Sequence, residues 1–299
     1  MLIRLDNTST REVSAELVRA HQMVGQATGM VLTLIVVSDA DRRDQVLQAA
    51  RESARAHPAR VIVVTYTGGD EPRLDAQIEV GEGIPGDLLS LTMRGPVAEH
   101  AGSVVLPLLL PDSPTVAWWP HDAPLQPMSD PVGALASRRI TDAAGAADPC
   151  LALRERAENH EPGDTDLSWT RLTRWRALLA AALDQYPAEV TAGSVISAAD
   201  NAPALLLVTW LEQKLGISVD HSTTSEAGIS SVTLTTPGGD IVISRLDAEG
   251  LATYRVPGEP ERKVALRRRP LTDLLTEELQ RLDADEVFES AVSQLALER

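Results

Sequence analysis

Five side chains on one short stretch carry most of the chemical potential of this chain. In GDTDLSWTRLTRWRALLAAALDQ, Gly163 to Gln185, they are Trp169, Arg171, Arg174, Trp175 and Arg176. Phe, Tyr and Trp make up only 3% of the protein, so the clustering of two indoles is selective. Guanidinium forks match phosphate and carboxylate oxygens, and Trp and Arg dominate the anchors of protein interfaces. The stretch therefore suits either a small anion or another protein. At about 100° per residue, Trp169, Leu172, Trp175, Leu179 and Leu183 share one broad apolar face. Arg171 and Arg174 fall on the opposite side, an ordinary solvated back. Arg176 falls inside the apolar face, where an unpaired charge is costly. It either ties two domains together through a carboxylate or takes a carboxylate of a ligand or partner. Asp164 and Asp166, at the helix start, can cap free amides, favour the helix dipole or pair with an arginine.

Further candidates lie upstream and downstream. Trp118 and Trp119, in WWP, point opposite ways on a strand. One belongs in a core, and the other lies at a rim or serves as an exposed binding anchor. Arg138 and Arg139 run directly into Ile140-Thr141-Asp142, and with Arg267 to Arg269 they are the basic spots of an acidic chain. The simplest expectation for both groups is solvated strand ends, with Arg138-Arg139 holding the better claim to a fixed position. GEGIPG, Gly81 to Gly86, matches a phosphate-binding glycine pattern letter by letter. However, Glu82 is acidic, Pro85 lacks an amide, and the residues that follow resemble a strand, so a turn between strands is expected. The six histidines show no metal-ligand spacing. Asp220-His221 and His121-Asp122 are poor dyads, because neighbours on an extended chain face apart. No catalytic residue, metal or cofactor is expected.

The elements that must position these groups follow from patterning. VLTLIVVS and RVIVVTYT are continuous β-branched runs, as in strands buried on both faces, with a polar helix, Asp39 to His57, between them. That order is a βαβ unit. DAQIEVG and DLLSLTMRG suggest added, partly exposed strands, followed by a helix from about Val97 to Leu110 and strands at AWW and RRIT. After residue 149 come helices, including APALLLVTWLEQKL stopped by Gly216. Strands follow, with a hairpin marked by Gly238-Gly239, then two amphipathic helices from about Thr272 and Asp285. The expected fold is two-domain α/β: residues 1–148 with a βαβ-type mixed sheet, and residues 149–299 as an α+β domain with antiparallel strands. The net charge of -16 disfavours nucleic acid and anionic membrane over most of the surface. Cys150 is the single cysteine, so no internal disulfide can form, and an inert thiol is expected. No secretory or membrane-spanning pattern stands out, and a cytoplasmic protein is expected.

In this order, VLTLIVVSD, HPARVIVV, RLDAQIEVG, VVLPLLLPDSPTVAWWP, RRITDAA and GDTDLSWTRLTRWRALLAAALD resemble the glucose-6-phosphate dehydrogenase assembly protein family, OpcA, in its actinobacterial form. SWTRLTRWR and AWWP are the specific part. The resemblance runs from about Val31 to Trp210 and is loose beyond Gly216. It implies two domains and a non-enzymatic partner of glucose-6-phosphate dehydrogenase, promoting its active oligomeric state at the entry to the oxidative pentose phosphate pathway. Contacts are then expected at Trp118, Trp119, Arg138, Arg139 and the arginines of the Gly163–Gln185 stretch. The alternative is a sugar-phosphate-binding protein or cryptic enzyme, with Arg138, Arg139 and Arg176 as anion ligands.

Overall fold

The structure is a computed structural model that describes residues 1–24, 29–81, 86–246 and 250–297, the side chain at position 44 apart. The chain opens with β1 (Leu2–Leu5), α1 (Thr10–Val24), β2 (Leu32–Asp39), α2 (Arg43–Ala56) and β3 (Ala59–Thr67). It continues with β4 (Arg73–Glu79), β5 (Asp87–Arg94), α3 (Pro96–Glu99), α4 (Ala101–Val105), β6 (Thr115–Trp119) and β7 (Arg138–Thr141). Next come α5 (Pro149–Glu158), β8 (Asp164–Asp166), α6 (Leu167–Arg171), α7 (Thr173–Gln185), β9 (Ala192–Ala198) and α8 (Ala202–Leu215). Five strands follow: β10 (Val219–Thr224), β11 (Ile229–Thr236), β12 (Gly239–Leu246), β13 (Leu251–Arg255) and β14 (Arg262–Ala265). Helices α9 (Leu271–Leu279) and α10 (Glu286–Leu295) close the described chain.

Two compact units emerge. The first comprises Met1–Asp142, Glu161–Thr165 and Leu271–Asp283, and the second holds Ala143–His160, Asp166–Pro270 and Ala284–Arg299. Where the sequence suggests a single cut after residue 148, the chain passes between units several times.

The first unit is built on an eight-stranded sheet of order β1-β4-β5-β3-β2-β6-β7-β8. β5, β3, β2, β6 and β7 are parallel neighbours, while β4 and β1 add antiparallel at one edge. The Val/Ile runs of β2 and β3 are buried on both faces, as their lack of alternation implies. Val13, Leu17 and Ala20 of α1 and Val104 and Val105 of α4 cover one face, packing on Ile35, Ile62, Leu89 and Trp119. α2 packs on β2, β3 and α9.

Two expectations are corrected here. DLLSLTMRG is not a partly exposed addition, because β5 lies between β3 and β4 with only its last residue exposed. Ser90 and Thr92 mimic an alternating polar face, yet Ser90 is buried. The helix expected over Val97 to Leu110 breaks into α3, α4 and a short 3-10 turn at Leu106–Leu108, where Pro107 removes an amide donor.

The second unit carries a six-stranded sheet of order β10-β9-β11-β12-β13-β14. It is antiparallel except for the β9–β10 pair. Val232, Leu234, Ile241, Ile243, Ala252 and Tyr254 alternate inward against Trp175 and Leu179 of α7, Leu206, Leu207 and Leu211 of α8, and Phe288 and Val292 of α10. Their alternation with Ser and Thr marks a sheet packed on one side. Asn201 caps α8 and Gly216 ends it in a left-handed conformation, as the sequence suggests. The single helix expected from Asp166 onward is divided at Leu172 into α6 and α7.

Candidate functional site

The structure removes the upstream candidates from contact with solvent. Trp118 and Trp119 of β6 are both buried, at 0% and 2% exposure. Trp119 joins the core beneath α1 and α4, and Trp118 faces the other side of the sheet. Neither is the rim or anchor expected of one of them. Arg138 and Arg139 of β7 are buried rather than solvated. Arg138 donates from Nη2 to Glu278 Oε1 at 2.6 Å and from Nη1 to the Asp283 carbonyl at 3.1 Å. Arg139 donates to Asp164, to the Pro162 carbonyl, and to the Ala136 carbonyl at 2.8 Å. A guanidinium out of water needs such partners, so both arginines are committed to holding the first unit together.

In the second unit, Asp166 accepts Ser168 N at 2.8 Å and Ala143 N at 2.9 Å, and lies 3.5 Å from Arg156. It is the cap that the sequence suggests. Trp169 donates Nε1–H to Asp285 Oδ2 at 2.8 Å and packs against Phe288 and Trp210. Arg176 stacks over that indole, its guanidinium carbon 3.7 Å from the ring centroid. Asp285 also caps α10, accepting Val287 N and Phe288 N. The SWTRLTRWR motif thus owes part of its character to packing.

Arg171 and Arg174 have a different fate from the solvated back expected of them. They open on a cavity of about 420 Å³ in the second unit. Its other basic groups are Arg245 of β12 and Arg267, Arg268 and Arg269, which follow β14. Carbonyl oxygens hold three of these guanidiniums. Arg245 Nε donates to Leu266 at 3.1 Å, Arg268 Nη2 donates to Ala227, and Arg269 Nη1 donates to Thr170 at 3.3 Å. Arg245 and Arg268 converge over Gly228. A Cβ added there would lie 3.6 Å from Arg245 Nη1 and 3.4 Å from Arg268 Nε. Burial, with the Arg268 charge second, brings the Arg245 guanidinium down to about 10. Trp175 lies beneath, its ring centroid 5.3 Å from the Arg245 guanidinium carbon. The segment Ala198 to Pro203, which runs into the N-terminus of α8 and includes Asp200, also lines the cavity.

Arg245 gives no signal in the sequence, because DIVISRL shows it as an ordinary polar point of an alternating strand. Arg267 to Arg269 did signal in the sequence, as a run of three. What the run lacked was any indication that α6, α7 and β12 would bring further arginines to it.

Elsewhere, Ser197 Oγ lies 2.8 Å from His221 Nε2 across the parallel β9–β10 pair, but Ser197 is fully buried and unavailable as a nucleophile. Burial, aided by the Asp200 and Asp148 charges and opposed by Arg154, raises the Cys150 thiol, which fits an inert group. The centre of GEGIPG, Glu82 to Pro85, lies outside the described residues. Among the described residues no group of His, Cys, Asp and Glu could hold a metal ion, and no helix is long and apolar enough to cross a membrane.

Comparison with known proteins covers both halves of the chain. Residues 50–158 match a family model described as the glucose-6-phosphate dehydrogenase subunit N-terminal domain, and residues 162–292 one described as the C-terminal domain of the same subunit. A Synechocystis sp. protein carrying the name OxPP cycle protein OpcA is 24% identical over 180 residues. That match takes in 54% of this chain and 38% of the relative, so the chain spans well under half of it. Among solved structures, biliverdin reductase from Synechocystis sp. gives a TM-score of 0.41 at 10% identity, over 90% of this chain and 96% of that one. An NAD binding oxidoreductase from Klebsiella pneumoniae gives 0.40 at 10% identity, over 89% and 94%. At such scores neither likeness carries an argument about this chain.

Proposed function

The chain belongs to the OpcA family of glucose-6-phosphate dehydrogenase assembly proteins, and from that premise we propose that it binds a glucose-6-phosphate dehydrogenase and favours its active oligomeric state. It acts in the cytoplasm, at the entry to the oxidative pentose phosphate pathway, and carries out no reaction itself. The observation that supports this reading is the succession of two matched domains along residues 50–158 and 162–292, both described as parts of a dehydrogenase subunit. A protein of this kind acts by differential affinity. Binding one oligomeric or conformational state of the enzyme more tightly draws the population towards it.

We place the contact on a narrower set of groups than the sequence suggests. Trp118, Trp119, Arg138 and Arg139 are buried, so docking falls to exposed groups of either unit. The test is to mix the purified chain with its dehydrogenase at tens of micromolar. Mass by light scattering and the rate of NADP reduction are then followed together. A heavier complex with a raised rate is expected. An unchanged mass and rate would overturn the reading.

A further inference from the structure

We propose that the arginine-lined cavity of the second unit is a binding site for a small phosphorylated molecule about the size of a sugar phosphate.

Six of the 27 basic residues of a chain with net charge -16 line this one cavity, against a single acidic lining residue, Asp200. Arg267 and Arg268 are exposed at its mouth, whereas Arg245 is drawn below the usual guanidinium value first by burial and then by the Arg268 charge. Arg174, Arg245, Arg267 and Arg268 form no ion pair with any described residue. The β7 arginines of the first unit behave in the opposite way, since each has its own buried carboxylate. A cavity that keeps several guanidiniums without carboxylates is suited to an anion from outside.

Geometry indicates the ligand's class. Guanidiniums anchored through carbonyl contacts are held in place before a ligand arrives, which lowers the ordering cost of binding. Their remaining N–H groups form forks that match phosphate oxygens. The N-terminus of α8 also lines the cavity, but Asn201 caps it through Ala204 N at 2.9 Å and Pro203 has no amide, so the anion contacts fall to the arginines. Leu172, Trp175, Ile229 and Leu266 supply an apolar floor for the body of a ligand. A volume of about 420 Å³ falls within the small-molecule range. A polynucleotide would meet the acidic remainder of the chain, which repels it.

The experiment is calorimetry on the full chain at low salt, with glucose 6-phosphate, inorganic phosphate and uncharged glucose as titrants. It needs no dehydrogenase, so its failure and the failure of the assembly reading are separable. Saturable binding of glucose 6-phosphate at one site, weaker binding of inorganic phosphate and silence from glucose are expected. Arg174→Gln with Arg245→Gln should weaken binding at least about tenfold, the scale of one charge-assisted hydrogen bond. Arg255→Gln, at the far end of β13, should leave it unchanged. Arg174→Gln alone, at a group with no described bonding partner, reads the site if the double variant fails to fold. Silence from both phosphates at millimolar concentration would overturn the proposal, as would binding indifferent to Arg174 and Arg245. Inorganic phosphate binding as tightly as glucose 6-phosphate would overturn the assigned ligand class.

Discussion

The guanidinium of Arg176 is stacked on the indole of Trp169, 3.7 Å from carbon to ring centroid, while the same indole is held from its edge by Asp285. A cation over a desolvated ring is worth about 0.5–2 kcal/mol. Arg176→Gln is therefore expected to lower stability by about that amount, and Trp169→Ala by about 3–5 kcal/mol through the cavity it leaves. In urea denaturation of the two single variants and the double variant, a coupling of at least about 0.5 kcal/mol is expected. Strict additivity would mean that the stacking has no energetic weight.

Arg139 and Asp164 are both buried, and removing either strands the other's charge. Asp164→Ala should destabilise the first unit by about 3–5 kcal/mol. Arg262 and Glu259 form an exposed pair, 53% and 44% accessible, and Glu259→Ala should cost less than about 1 kcal/mol. Denaturation midpoints of the two variants, compared side by side, check the contrast. Equal losses would contradict it.

Gly86, the last glycine of GEGIPG, is required by a close approach of two backbones. A Cβ built there would sit 1.9 Å from the Ala59 carbonyl oxygen, a backbone atom at the start of β3. Gly86→Ala should therefore destabilise by about 1–3 kcal/mol or more, measured as a fall in thermal midpoint, while phosphate binding by the folded fraction is unchanged. A variant as stable as the parent would show that the two backbones separate at no cost.

Burial depresses His221 below the usual imidazole value of 6.5. Above that value both folded and unfolded forms are neutral, and His221 contributes no pH dependence. As pH falls through it, the unfolded chain takes up the proton first, so stability declines until the folded imidazole also titrates. Proton NMR of the ring should give a midpoint below 6.5. Stability of the parent relative to His221→Gln should fall across that same window on acidification. A midpoint at or above 6.5 would contradict the burial argument.

Local patterning was enough to reveal much of this architecture. Continuous Val/Ile runs announced β2 and β3, Gly216 marked the end of α8, Gly238-Gly239 marked the turn into β12, and the spacing of Trp169, Leu172, Trp175 and Leu179 gave the buried face of α6 and α7. Each of these depends on residues within one or two turns of one another, so the signal lies in the sequence itself. The family resemblance likewise rests on contiguous segments.

The fate of each charge was decided elsewhere. Arg138-Arg139 and Arg267 to Arg269 look alike as short basic runs, yet the first pair is buried against carboxylates and the second lines a cavity. Arg138 meets Glu278 across 140 positions of chain, and Arg245 meets Arg268 only where β12 passes the segment after β14. Whether a guanidinium is neutralised, stacked or left for a ligand depends on the dielectric and the partners around it. Those are set by groups that come together only when the sheets close and the helices pack.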